Sequence, residues 1–377
     1  MIVVFLMAVG TVFVFSAGAN IGQELTIEQF YSSSSLRQLL FFPLAVIIMY
    51  SVSCINYRRL SVAASWFKSP TIYIFVLSLV LLVLVLIPGI GIEKNFARRW
   101  LELRAGPITI SFQPSELAKW ATIFFVAGYC DRFYETMGQF WKKFVPICAI
   151  VGMTAVLVVL EDFGTAALIV LLSLLILSIG GAKWWHLLAP MPIGAAGAFV
   201  AIMQSTARRG RILAFLEPEK WADTIAYQAN QSLIAIGSGG IWGKGLGMGI
   251  SKYGHLPEDT TDFIFSIIGE ELGLVGTLAV ILMFILLVWL GIVVIVRCKD
   301  RLGQLLASGI ILAIAVQAAL NIGVVTVVLP TKGIPLPFVS AGGTSMLLTA
   351  VAVGVLLNIA KQSTKTEEEL DSIGDEQ

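Results

Sequence analysis

Apolar residues arrive in long uninterrupted blocks along this 377-residue chain, and short polar stretches separate them. A helix needs about 20 residues to cross roughly 30 Å of hydrocarbon. Blocks of about that reach recur about ten times, at residues 2–19, 39–54, 72–87, 117–130, 144–160, 165–179, 184–203, 263–296, 305–328 and 344–360. Strand-like alternation is missing from them, and in lipid each segment has to satisfy its own backbone polar groups. The pattern therefore predicts an all-α integral membrane protein with about ten transmembrane helices. Only Glu161, Asp162, Phe163 and Gly164 separate the fifth and sixth blocks, which predicts a tight helical hairpin with two carboxylates at its tip.

The polar stretches complete the plan. Residues 204–261 make the only long connection, read as a large extracytoplasmic loop (204–262) between the seventh and eighth helices. Trp221, Tyr227, Trp242 and Tyr253 lie in it among apolar residues, so an ordered loop is expected. One membrane domain spans 1–362, and KQSTKTEEELDSIGDEQ reads as a flexible acidic cytoplasmic tail over 363–377. An even number of spans puts both termini on one side. Lys and Arg are nearly balanced between the two sets of loops, but one set concentrates them in two long polar stretches, which are largely exempt from the positive-inside rule. The termini are therefore placed inside. Basic residues gathered outside point to an anionic ligand such as a lipid phosphate, the alternative being ordinary surface charge.

Composition agrees: 57% hydrophobic and 13% charged residues lie far from soluble domains. The net charge of +1 identifies no partner by itself, and nucleic acid is not expected. Cys54, Cys130, Cys148 and Cys298 lack metal-site or disulfide spacing, and two histidines, His186 and His255, are too few and too far apart for a zinc or iron centre. The first apolar block has no basic lead and more spans follow, so no cleavable signal peptide is read.

The stretch LPEDTTDFIFSIIGEELG draws the eye first, because Asp262 stands where a carboxylate-rich loop enters an apolar helix. Glu258, Asp259, Asp262, Glu270 and Glu271 crowd it, and repulsion with partial desolvation would raise some of their pKa values towards those of a general base. A plainer alternative is a cap, with Asp259 starting a helix whose third residue is Asp262. Glu270 and Glu271 lie roughly 12 to 14 Å further along a continuous helix and are assigned to packing or partner coupling. Earlier, Pro114 suits a first helical turn, Gln113 or Ser115 a cap. Glu116 and Lys119 then share one face, as a self-neutralising buried pair or as the lining of a polar cavity. Arg208 and Arg211 are one turn apart and suit phosphate contacts. Gln228, Gln231 and Ser232 form a polar stripe suited to sugar groups. GSGGIWGKGLGMG fails the Walker pattern and reads as a glycine turn packed on membrane helices. Gln317 and Asn321 read as interhelical glue. In LPTKGIPLPFVSAGGTS the broken pattern belongs in a protein-lined cavity, with Lys332 and Ser340 as its polar candidates.

Taken together, RRW at 98–100, FQPSELAK at 112–119, Arg208 with Arg211, YQANQSLIAIGSGG, LPEDTTDFIFSIIGEELG and PTKGIPLPFVSAGGTS resemble, in order and over nearly the whole chain, the SEDS family of FtsW, RodA and SpoVE. The likeness is greatest to its division and sporulation branch. The resemblance implies a ten-helix glycosyltransferase that polymerises lipid II at the outer face of the bacterial cytoplasmic membrane, at the division septum. It places the essential aspartate on Asp262 and a substrate-binding set on Arg98, Trp100, Gln113, Ser115, Glu116, Lys119, Arg208, Arg211, Gln228, Gln231, Ser232, Lys332 and Ser340. It implies as partners a class B penicillin-binding protein and other divisome proteins. No cofactor or dedicated metal site is expected, although a divalent cation is compatible with a pyrophosphate leaving group. The sequence departs from the family at Thr260, where a histidine is usual and for which His255 would have to substitute. It departs also at Glu161–Asp162 in place of Pro-Asp, and at Ala207 and Ala341 in place of tyrosines. The customary cytoplasmic lead before the first span is missing, or the start lies upstream. Competing functions are a lipid II flippase, which shares broken helices and intramembrane charge, and a non-catalytic scaffold.

Overall fold

The computed structural model describes residues 1–18, 34–62, 68–94, 97–105, 108–222, 224–253 and 256–374. In chain order its α-helices are α1 (Ile2–Gly18), α2 (Ser34–Ser53), α3 (Pro70–Leu86), α4 (Pro114–Phe133), α5 (Val145–Val159), α6 (Phe163–Ile179), α7 (Trp184–Leu188), α8 (Met191–Met203), α9 (Thr206–Leu216), α10 (Tyr227–Gly239), α11 (Ile264–Arg297), α12 (Arg301–Val325) and α13 (Gly343–Gly374). All ten apolar blocks are helical, the seventh being shared by α7 and α8. Among the described residues, six segments are long and apolar enough to cross a membrane: Leu36–Ser53, Phe140–Val159, Trp184–Met203, Ile264–Arg297, Arg301–Val325 and Gly343–Thr364. The helices α1, α3 and α6 are apolar but shorter. The tenth, α4, has 20 residues and carries Glu116 and Lys119.

Helix α4 forms the centre with α12: it is buried along nearly its whole length and packs on α3, α6 and α12. Helix α13 lies along α2, while α1 packs on α2 and α11. No residue of α7 or α8 is buried, as suits a segment facing lipid.

Three features differ from the sequence reading. The connection before α4 folds into an antiparallel sheet of β1 (Ile92–Lys94), β2 (Ala97–Ala105) and β3 (Ile108–Phe112), in the order β1-β2-β3. Short runs of two-residue alternation cause it, Leu101 and Leu103 against Glu102 and Arg104, and Ile108 and Ile110 against Thr109 and Ser111. Helix α13 also continues to Gly374, through the stretch read as a flexible tail, because Glu, Leu and Lys favour helix. Finally, α11 begins at Ile264 after Phe263, without a side-chain cap, so Asp262 lies outside the helix and the capping-box alternative does not hold.

The glycine-rich turn after α10 packs as expected. Gly273 kinks α11 with φ 67°, and a Cβ there would stand 2.4 Å from the Gly243 nitrogen. Glu270 accepts from Lys244 Nζ (2.6 Å) and from the Ile250 and Ser251 nitrogens. Glu271 accepts from Lys252 Nζ (2.9 Å), Ser16 Oγ and the Gly247 nitrogen. The two carboxylates thus tie the turn to α11 and α1, a packing role.

Candidate functional site

Asp262 sits in the turn that delivers the chain into α11. Glu258 starts that turn at φ 58°, and its carbonyl accepts from the Thr261 and Phe263 nitrogens. The carbonyls of residues 260–262 are each held: Thr260 O accepts from the Ala341 nitrogen (2.9 Å), Thr261 O from Ser340 Oγ (2.5 Å) and Asp262 O from Asn321 Nδ2 (2.8 Å). The Asp262 carboxylate has no hydrogen-bond partner among the described residues and is partly exposed. Loss of water raises its pKa from 3.8 to about 7, with Glu258 and Asp162 adding to the rise and Arg99 and Arg211 opposing it. Desolvation likewise raises Asp259, to about 6. An aspartate that titrates near neutrality with free oxygens is equipped to take a proton.

Cations from two segments act on this carboxylate, and a third lies in the loop beside it. Arg99 lies on β2, beside Arg98, and the sheet is tied to the α5–α6 hairpin. Arg98 N donates to Glu161 Oε2 (2.6 Å) and Arg99 Nε to Glu161 O (2.8 Å). Asp162 caps α6, accepting from the Thr165 nitrogen (3.1 Å) and Thr165 Oγ1 (2.8 Å). A small cavity here is lined by Arg98, Arg99, Ser115, Glu161 and Asp162. From α9, Arg211 feels Asp262 and Asp162 as well as Arg99 and Arg208, and burial lowers its pKa. From the segment after α12, Lys332 has its ammonium 4.7 Å from the Phe163 ring centroid, and burial lowers its pKa too. Neither Arg211 nor Lys332 forms an ion pair among the described residues. Gly333 follows, so close that a Cβ there would stand 3.0 Å from Asp262 Oδ2. Among the described residues no three His, Cys, Asp or Glu side chains converge as metal ligands. The Asp162 oxygens are already engaged with Thr165.

Other expected residues have different surroundings. Glu116 and Lys119 form the self-neutralising pair rather than a cavity lining: Nζ to Oε2 is 2.9 Å, and Lys119 is 1% exposed. Lys119 Nζ also donates to Gln317 Oε1 (2.8 Å), and Ser345 Oγ donates to Glu116 Oε2 (2.9 Å). Gln113 and Ser115 bond each other instead of capping α4. Arg208 donates to the Ala201 and Val159 carbonyls, which spends its guanidinium on the ends of α8 and α5. Arg98 pairs with Glu93 at 3.5 Å, and Trp100 stands opposite Ile92 in the sheet. Ser232 is fully buried against Ser266 and the Val325 carbonyl, so it packs α10 rather than facing a sugar. Gln228 and Gln231 remain partly exposed on α10, which runs beside α11. Ser340 bonds backbone on both sides and presents no free hydroxyl hydrogen. Gln317, expected as glue between helices, does join α12 to α4 by accepting from Lys119, and both it and Asn321 also grip the 334–335 carbonyls. His255 lies outside the described residues.

Sequence reasoning missed Arg99, Asp162 and Asn321 as members of this site, whereas the crowding of Glu258 against Asp262 was expected. The doubled arginine of RRW and the two carboxylates at a hairpin tip were the available signals, but only the sheet brings them together.

Known proteins match the chain along its length. A family model covering FtsW, RodA and SpoVE, described as "Cell cycle protein", matches residues 1–365. Stage V sporulation protein E of Bacillus subtilis (strain 168) is 37% identical over 365 residues, 96% of each chain. Probable peptidoglycan glycosyltransferase FtsW of Geobacter metallireducens is 36% identical over 371 residues, 97% of this chain and 96% of that protein. In fold, the chain resembles a protein solved under the description "Structural coordination of polymerization and crosslinking by a peptidoglycan synthase complex", with a TM-score of 0.70 at 24% identity, covering 96% of this chain and 97% of that one. It also resembles the Thermus thermophilus rod shape determining protein RodA, with a TM-score of 0.63 at 23% identity, covering 96% and 94%. With its helices and polar segments matched from end to end, this chain belongs to the family of FtsW, RodA and SpoVE.

Proposed function

We propose that the chain is an inverting peptidoglycan glycosyltransferase that polymerises lipid II at the outer face of the bacterial cytoplasmic membrane, in septal wall synthesis. The observation that carries this reading is the Asp262 carboxylate, free of hydrogen bonds among the described residues and raised to about 7. Asp262 takes the proton of the acceptor's N-acetylglucosamine 4-hydroxyl. The oxygen then attacks the anomeric carbon of the donor's N-acetylmuramic acid from the face opposite its pyrophosphate. The carbon–oxygen bond to undecaprenyl pyrophosphate breaks, the leaving group keeps the electron pair, and the configuration inverts. Asp262 returns its proton to water.

Arg99, Arg211 and Lys332 surround the place where pyrophosphate charge develops, an arrangement that stabilises the transition state. Gln228 and Gln231 are proposed to meet sugar groups, and Arg98, Trp100 and Arg208 to frame the site. A general base contributes typically about 10²- to 10⁴-fold. The partner we assign is a class B penicillin-binding protein, within a divisome assembly, which cross-links the new strands. Relatives named as probable peptidoglycan glycosyltransferases support the reaction class.

The test is Asp262→Asn in the purified chain with its partner and fluorescent lipid II. Loss of glycan polymer with folding and partner binding intact supports the enzyme. Unchanged polymerisation removes Asp262 as the base, and no polymer from the wild type favours a flippase or a scaffold.

A further inference from the structure

We infer that Asn321 is a positioning residue, which fixes the Asp262 carboxylate by bridging the two loops that enclose it. The inference rests on the reading of Asp262 as the base.

The amide of Asn321 is used in one particular way. Its two Nδ2 hydrogens go to two carbonyls, Asp262 O at 2.8 Å and Ile334 O at 2.7 Å. Its Oδ1 is buried and accepts from no other described residue. The donor end joins the loop bearing Asp262 to the loop bearing Gly333.

Asn321 is the last of three adjacent catches. With the Ala341 nitrogen on Thr260 O and Ser340 Oγ on Thr261 O, three consecutive carbonyls are held from one side. The segments that carry these bonds are strained: Glu258 and Phe338, both non-glycine, hold φ 58° and φ 67°. Such conformations are costly and persist where surrounding bonds over-determine them. One turn before Asn321, Gln317 Nε2 donates to Pro335 O (2.9 Å) while its Oε1 accepts from Lys119 Nζ (2.8 Å). The Gly333 loop is thereby referred to the buried Glu116–Lys119 pair at the centre of the protein. Asp262, with no hydrogen bond on its carboxylate among the described residues, depends on its main chain for its aim.

The consequence is a division of labour. Asn321 touches no substrate, yet its loss lets the Asp262 backbone drift. A misplacement near 1 Å costs about 10²-fold in rate. In the purified chain with its partner and fluorescent lipid II, Asn321→Leu is expected to lower kcat about tenfold to a hundredfold with KM unchanged. Ser340→Ala, which frees the middle carbonyl, is expected to act in the same direction, and Ser340→Thr, which keeps the hydroxyl, to recover most of the loss. The discriminating measurement is a double-mutant cycle: added to Asp262→Asn, Asn321→Leu should change the residual rate by less than about twofold, because the group it positions is already gone. A further fall in the double variant equal to that in the single one overturns the inference, as does a loss that tracks melting temperature or lies only in KM. Wild-type kcat in Asn321→Leu and Ser340→Ala beside an inactive Asp262→Asn also overturns it, and leaves the base intact. An active Asp262→Asn removes the base itself, and this inference with it.

Discussion

An alanine at Gly333 puts one methyl group against the reacting carboxylate and almost nothing else. Its Cβ would stand 3.0 Å from Asp262 Oδ2 and 3.8 Å from Asp262 Cγ, with no other non-neighbouring atom within 4 Å. Carbon and oxygen prefer about 3.5 Å, so the carboxylate must retreat by a few tenths of an ångström. Gly333 is absent from the left-handed glycines, so alanine adds no backbone strain there. If 1 Å of misplacement is worth about 10²-fold, a few tenths is worth about fivefold. The added methyl also excludes water, so the acid limb of the rate moves upward from about 7. The assay is a pH series of kcat for lipid II polymerisation by wild type and Gly333→Ala, with melting temperature as the control for folding. Unchanged kcat at every pH would refute the placement of Gly333 against the base. A lower kcat matched by a lower melting temperature would refute the argument that the effect is local.

The wild-type rate itself should rise as pH passes through about 7, since the deprotonated form of Asp262 is the base. Arg211→Ala removes a cation that holds the Asp262 pKa down, so its acid limb should move up, whereas Glu258→Gln removes an anion that pushes the pKa up and should move it down. The same direction of movement in both variants, read from pH–rate profiles, would contradict this balance of charges. Lys252→Met strips the cation from Glu271, which is 0% exposed, and breaking a buried pair costs about 3–5 kcal/mol. Thermal unfolding in detergent should show that loss and its partial recovery when Glu271→Leu is added; a double variant no more stable than the single one counts against it.

The fold was readable because its units are long. A block of apolar residues fixes a spanning helix almost regardless of its neighbours, and all ten blocks are helices. The sheet at 92–112 was not readable in this way: its alternation lasts only a few residues per strand and lies inside a polar connection. Asp262, Arg211 and Lys332 could be named from type and context, since Asp262 and Lys332 are charges beside apolar segments and Arg211 stands one helical turn from Arg208. Asp162 and Arg99 could not be joined to them, because their proximity depends on how the sheet docks on the hairpin through Glu161. Ser232 and Ser340 misled for a related reason. A hydroxyl in a polar stripe looks the same in sequence whether it faces a ligand or a carbonyl, and here both face carbonyls.

The arrangement around Asp262 explains why a base can persist at the edge of a membrane domain. A carboxylate in direct contact with Arg211 would be held far below neutrality and would be a poor proton acceptor. One left without nearby cations would stay protonated and be equally idle. Here Arg99 and Arg211 act at a distance that moderates the cost of burial without cancelling it, while Glu258 and Asp162 pull the other way. Such a balance is sensitive to small displacements, because each contribution changes with distance. It therefore requires a backbone that does not move, and the catches on residues 260–262 supply that restraint without touching the carboxylate. Charge and position are thus set by different residues, so substitutions in the first group should act through the pH profile, whereas those in the second should lower kcat even at a pH where the base is fully deprotonated.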